Sequence, residues 1–166
     1  ITICTAKAGV GNEPHRLFAF PEKGEISMDG KIDVVLVEPG KPAVIAEIGS
    51  DLDSLQRAVG GSIEAAYFYD DPIAIVCNED GKNIGLPMNR AVKDENGEIM
   101  DIIVGKFFVC GLGEDDFASI PKELQNKYLE KFRKPEAFLK IGHRVFAVPT
   151  ETIKPDHPKA AAKEER

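Results

Sequence analysis

Ile32-Asp33-Val34-Val35-Leu36-Val37 runs into Glu38-Pro39-Gly40-Lys41-Pro42 and then into Val44-Ile45-Ala46-Glu47-Ile48. The first stretch is nearly all aliphatic and alternates poorly, the pattern of a strand covered on both faces. Pro39 and Gly40 supply the fixed and the permissive φ of a turn. Residues 44–48 therefore return as a second strand, and the pair forms a hairpin. Asp51 stands where it can cap a helix over residues 52–59, with Leu52, Leu55 and Val59 on one face. Gly60-Gly61 stops that helix.

Further along, residues 62–69 and 73–78 read as strands separated by the turn Asp70-Asp71-Pro72. Residues 85–91, Gly-Leu-Pro-Met-Asn-Arg-Ala, are too broken for a strand and too short for a helix. Residues 94–97 form a turn into a final hairpin whose apolar cores are residues 102–104 and 107–110. Leu124, Tyr128 and Phe132 recur every four residues and predict the clearest helix, ended by Pro135. Residues 145–148 form a last strand. Strands dominate and hairpins outnumber crossovers. The expected fold class is α+β: a mainly antiparallel or mixed sheet carrying one short and one longer helix.

The chain has 166 residues, of which 43% are hydrophobic and 30% charged, a profile of neither disorder nor a membrane span. At this length about two-thirds of the unfolded surface can be buried without disulfide or metal. A net charge of −7 argues against direct nucleic-acid binding, which draws on Lys and Arg against phosphate, yet it is too mild for a DNA mimic. Cys4, Cys77 and Cys110 are odd in number and lack ligand spacing, so they read as reduced thiols, the latter two in the core. No apolar run approaches the length of a membrane helix and no signal peptide is evident, so the expected compartment is the cytoplasm. The chain opens on Ile1 and reads as a trimmed or processed piece.

Four regions are expected: an N-terminal extension with an edge strand over 1–31, a core domain over 32–138, a C-terminal strand over 139–153 and a mobile tail over 154–166. His15-Arg16-Leu17-Phe18-Ala19-Phe20-Pro21 nearly repeats as His143-Arg144-Val145-Phe146-Ala147-Val148-Pro149. Either two edge strands share a composition, or both segments play equivalent roles flanking the core, pairing with each other or with a partner's edge.

Walker A, His-Glu-x-x-His, Gly-x-Ser-x-Gly and EF-hand patterns are absent from the sequence. Gly111-Leu112-Gly113 runs into Glu114-Asp115-Asp116, whose carboxylates would repel a pyrophosphate. No cofactor or metal is indicated. Glu64, on a strand just after the double glycine, can receive a ligand hydroxyl or amine if it lies beneath Gly60-Gly61; otherwise it is an exposed strand residue. The connection over residues 78–90 carries Asn78, Lys82, Asn89 and Arg90 with two glycines. Connections of that length are often functional. The structural alternative is that its asparagines bond loop backbone and its glycines supply positive φ.

The order Leu-x-x-Leu-Gln-x-x-Val-Gly-Gly-x-Ile-Glu-Ala over 52–65, Asn78-Glu-x-Gly-Lys, Gly85-Leu-Pro-x-Asn-Arg-Ala and Asp101-Ile-Ile-Val-Gly resembles the family called domain of unknown function 3846. The resemblance covers residues 32–138. It implies a small intracellular module of Gram-positive bacteria, phages and conjugative elements, sometimes beside antirestriction genes, and it carries over no reaction or catalytic residue.

The resulting expectation is a non-enzymatic binding module of a phage or mobile element that modulates host defence. Its ligand is a host- or element-encoded protein or a small anionic molecule. The contact surface combines Gly60, Gly61 and Glu64 with Asn78, Lys82, Asn89 and Arg90; Lys82 and Arg90 meet an anion, Arg90 through the fork suited to phosphate. The alternatives are a small carboxylate-dependent hydrolase or nucleotide-modifying enzyme using Glu64, and a structural domain that forms a homo-oligomer through its end segments. A closed pocket at residues 78–90 favours a small molecule, and an open apolar patch favours a protein.

Overall fold

The computed structural model describes residues 30–150. The N-terminal extension with the first heptapeptide copy, Cys4, and residues 151–166 with the charged tail lie outside the described residues. In chain order the strands and helices are β1 (Lys31–Val37), β2 (Val44–Gly49), α1 (Leu52–Val59), β3 (Ile63–Ala66), β4 (Ile73–Asn78) and β5 (Met88–Lys93). Then follow β6 (Ile99–Val104), β7 (Phe107–Leu112), β8 (Phe117–Ala118), α2 (Lys122–Lys131), β9 (Glu136–Ile141) and β10 (Arg144–Pro149). All strand pairings among the described residues are antiparallel, and two helices accompany them, so the fold is α+β and dominated by sheet.

The opening hairpin forms with Lys31 opposite Gly49 and Leu36 opposite Val44, and Lys41 N closes its turn on the Glu38 carbonyl at 3.2 Å. Asp51 caps α1 by accepting from Ser54 N at 2.9 Å. Gly60 ends the helix at φ 78°, a left-handed conformation that costs a Cβ-free residue little. The main sheet runs β2-β1-β7-β4-β3, with β8 added to the end of β7.

β7 is the central strand, and consecutive phenylalanines on it decide the layering. Phe107 and Phe108 are both fully buried and, being adjacent on a strand, face opposite sides. Phe107 packs with Tyr128 of α2, with Phe132 at that helix's C-cap, and with Val92 and Ile103 of the β5–β6 hairpin. Phe108 packs with Leu55 and Val59 of α1. Each ring stabilises the fold by about 2–3 kcal/mol through burial. The sheet is thus sandwiched between α1 on one face and α2 plus β5–β6 on the other.

Three expectations need correction. Residues 88–93 form strand β5, because two polar residues there, Asn89 and Arg90, point into the core and satisfy themselves on backbone carbonyls. β6 pairs with β5, not with β7. Gly105 (φ 69°) redirects the chain so that the wholly apolar β7 enters the main sheet between β1 and β4. Finally, residues 136–141 are strand β9, which pairs with β10 over six residue pairs from Glu136↔Pro149 to Ile141↔Arg144. The boundary drawn between 138 and 139 falls inside β9.

Candidate functional site

Gly60, Gly61 and Asn78 meet at one corner, where the end of α1 abuts the end of β4. The Asn78 Nδ2 donates to the Gly60 carbonyl at 3.2 Å, and its Oδ1 accepts from Asp80 N at 2.9 Å. A Cβ on Gly61 would lie 2.6 Å from that Nδ2, so the second glycine makes room for the carboxamide. Asn78 is buried and acts here as a staple between two backbone segments.

Asn89 and Arg90 do not join that corner, and neither reaches the surface: each is 1% exposed. The Asn89 Nδ2 bridges the carbonyls of Val37 and Gly105 at 3.0 and 2.7 Å. The Arg90 Nε donates to the Phe132 carbonyl at 3.0 Å and Nη2 to the Lys41 carbonyl at 2.6 Å. Its Nη1 donates to the Asn89 carbonyl and to the Asn89 Oδ1 at 3.1 and 2.9 Å. Burial lowers the pKa of Arg90, with the Glu136 charge acting in the opposite sense. All three guanidinium nitrogens are engaged, so the expected meeting of Arg90 with a solvent-borne anion gives way to a role inside the fold.

Lys82 lies on the surface and pairs with Asp101 of β6 at 2.6 Å. The two stand at an open groove of about 480 Å³ lined also by Leu86, Met88, Ile99, Ile102 and Val104. Gly81 and Gly105 let the walls close up, since a Cβ on either would strike Val104 Cγ2 (2.9 Å) or Leu86 Cδ1 (2.6 Å). Ile84, beside the groove in sequence, is 63% exposed, and Met88 is 49% exposed.

Glu64 sits partly buried on the edge strand β3, directly opposite Cys77 of β4, and is not among the groove-lining residues. Burial first, then the Glu64 carboxylate and Asp101, push the Cys77 thiol up to about 11, against the pull of Lys82. A thiol held protonated is a poor nucleophile. Among the described residues no three His, Cys, Asp or Glu side chains are placed to hold a metal ion, and no helix is long and apolar enough to cross a membrane.

A second polar cluster lies where α2 meets the β3–β4 connection. Asp71 accepts from the Tyr128 hydroxyl at 2.7 Å and from Lys127. The Lys131 ammonium stands 4.2 Å from the centre of the Tyr69 ring. The Tyr69 hydroxyl is buried with no hydrogen-bond partner among the described residues.

Sequence reasoning missed the apolar wall of the groove. Apart from Leu86, which precedes β5, its residues come from β5, unrecognised as a strand, and from β6, assigned to another partner. The usable signal was Asp101-Ile-Ile-Val, where a carboxylate interrupts an otherwise apolar strand.

No curated protein and no solved structure matches the chain. The family model described as domain of unknown function (DUF3846) matches residues 32–133, from β1 to just past the end of α2. Both cores, the Asn78 corner and the groove fall within that span, and the chain belongs to the DUF3846 family.

Proposed function

We propose that this domain is a non-enzymatic binding module of a phage or mobile element that engages a host- or element-encoded protein in the cytoplasm, with modulation of host defence as its outcome. The observation that carries the reading is the groove beside β6: open, walled by Leu86, Met88, Ile99, Ile102 and Val104, and edged by the Lys82–Asp101 pair. Small-molecule sites are typically concave and enclosing, whereas exposed apolar surface with a polar rim suits a protein partner.

A protein is favoured over a small anion for a second reason. The two cations expected to hold an anion are committed elsewhere, Arg90 to four acceptors inside the core and Lys82 to Asp101. The mobile-element setting rests on the family resemblance alone.

The test is native mass spectrometry of the full chain drawn from host lysate, run beside Met88→Asp, which puts a charge into the groove at a half-exposed position. A stoichiometric protein retained by the parent and lost by the variant supports the reading. A parent that returns unaccompanied, or a partner that Met88→Asp retains equally, overturns it.

A further inference from the structure

We propose that β10 is a self-association edge: two copies of the chain join by antiparallel pairing of their β10 strands about a two-fold axis at Phe146. This is independent of the groove, which lies on β5–β6.

β10 pairs with β9, and β9 in turn lies against β5, so β10 is the outer strand among the described residues. Thr150 N donates to the Pro135 carbonyl at 2.8 Å. That bond fixes the phase of the ladder, because bonded and non-bonded pairs alternate along an antiparallel hairpin. The pairs 148/137, 146/139 and 144/141 therefore exchange hydrogen bonds, and the N–H and C=O groups of Val145 and Ala147 point away from β9.

Among the described residues, nothing pairs with this edge, and it carries fewer guards than β2 and β3. Edge strand β2 carries Glu47 in a salt bridge with Lys31, and edge strand β3 is four residues long and carries Glu64. Charges and short length are the usual guards against edge-to-edge pairing. Between Arg144 and Pro149, β10 reads Val-Phe-Ala-Val, four residues without charge, and its pairing with β9 runs without a bulge over six pairs. Phe146 is 44% exposed, and its cross-strand neighbour Leu139 is 48% exposed.

A second copy fits this edge through its own register. The free groups lie symmetrically on either side of Phe146, and the ladder stops at Pro149, which has no N–H, and at the Gly142-His143 turn. Placing Phe146 opposite its counterpart sets Val145 of each copy against Ala147 of the other, and all four outward N–H groups find carbonyls. The two phenylalanines then form a close cross-strand pair, extended by Leu139 on each side. The two-fold closes the assembly with no β10 edge left over. The Arg144 residues face Val148 of the opposite copy rather than each other.

The test is sedimentation velocity on the full chain over a wide concentration range, beside Ala147→Pro. Proline there deletes an outward N–H and leaves the ladder to β9 intact, so the thermal midpoint stays near that of the parent. The expected result is a concentration-dependent dimer whose dissociation constant rises about tenfold or more in Ala147→Pro. Hydrogen exchange of the parent adds a readout that needs no variant: the Val145 and Ala147 amides gain protection as concentration rises. A chain monomeric at every concentration, a dimer indifferent to Ala147→Pro, or amides protected equally at all concentrations would each overturn the proposal.

Discussion

The Arg90 Nε donates to the main-chain carbonyl of Phe132 at 3.0 Å, holding the C-terminal end of α2 from inside the core. The last carbonyls of a helix have no partner within it, and a cation there is favoured by the helix dipole. Pro121 gives α2 no side-chain cap at its start, while Tyr128 and Lys127 tie its middle to Asp71. The same guanidinium holds the β1–β2 turn through the Lys41 carbonyl. One side chain thus ties β5, α2 and the opening hairpin together.

Replacing Arg90 should therefore cost stability rather than binding. Arg90→Met keeps the apolar stem but leaves the Phe132, Lys41 and Asn89 acceptors unsatisfied, and a loss of about 3 kcal/mol or more is expected. Arg90→Lys should recover only a fraction, since an ammonium cannot reproduce the planar fork. Urea denaturation of the two variants checks this; a midpoint for Arg90→Met equal to the parent's would refute the hub role.

The Gly61–Asn78 contact predicts a coupled pair. In Gly61→Ala the new methyl stands within 2.6 Å of the Asn78 Nδ2, so the carboxamide must swing off the Gly60 carbonyl. The expected loss is about 1 kcal/mol. Asn78→Ala forfeits that bond together with the one from Asp80 N, for about 1–2 kcal/mol. The double variant should cost clearly less than the sum, because each single change breaks the same bond. Strict additivity in denaturation curves would show that the two residues act independently.

Where the chain obeys simple periodicity, its structure was legible. The β1–β2 hairpin and α1 with its Asp51 cap and Gly60 stop follow from local pattern. So does α2, with Tyr128 and Phe132 inward. Legibility failed where tertiary partners override the pattern. β5 buries Asn89 and Arg90 in a strand, the reverse of what a hydrophobic pattern reports, because carbonyls from three distant segments, the β1–β2 hairpin, Gly105 and Phe132, converge there. Gly105-Lys106 looks like a two-residue hairpin turn, yet it separates strands of different layers. The site suffered accordingly. Lys82 lies on the surface, but its pairing with Asp101 and the apolar wall depend on the β5–β6 pairing, of which the sequence offers only the carboxylate that interrupts an apolar run at Asp101.

Glu136 predicts a local rather than global effect. Its carboxylate accepts from Ala91 N at 2.7 Å and from Lys93 at 3.3 Å, standing in for a backbone ladder between β9 and β5. Glu136→Ala should release the β9–β10 hairpin from the body. Hydrogen exchange would then rise at Ala91 and along residues 136–149, while β1, β4 and β7 stay protected. Glu136→Gln keeps an oxygen for Ala91 and should show a smaller change. Uniform loss of protection across the main sheet in Glu136→Ala would contradict a hinge-like attachment.

The two described thiols contribute to a loss of stability at alkaline pH. Burial pushes Cys77 up to about 11 and Cys110 up to about 12 from an ordinary value of 9.0. At pH 8 the thiolate fraction of Cys77 is then about a thousandth, so alkylation under native conditions should be slow at both sites and fast only after unfolding. The linkage sign follows from the same shifts. Above the ordinary thiol value the unfolded chain releases protons that the folded chain still holds, so the unfolded state gains. Stability is present in full below pH 9 and is lost as pH climbs towards the folded values. Tyr69 and Tyr128, also raised by burial, add to the same decline at higher pH. Urea midpoints measured from neutral pH upward should fall past pH 9, and Cys110→Ala should flatten that fall by removing the more strongly shifted thiol. An identical slope in Cys110→Ala would mean that the tyrosines alone govern the alkaline loss.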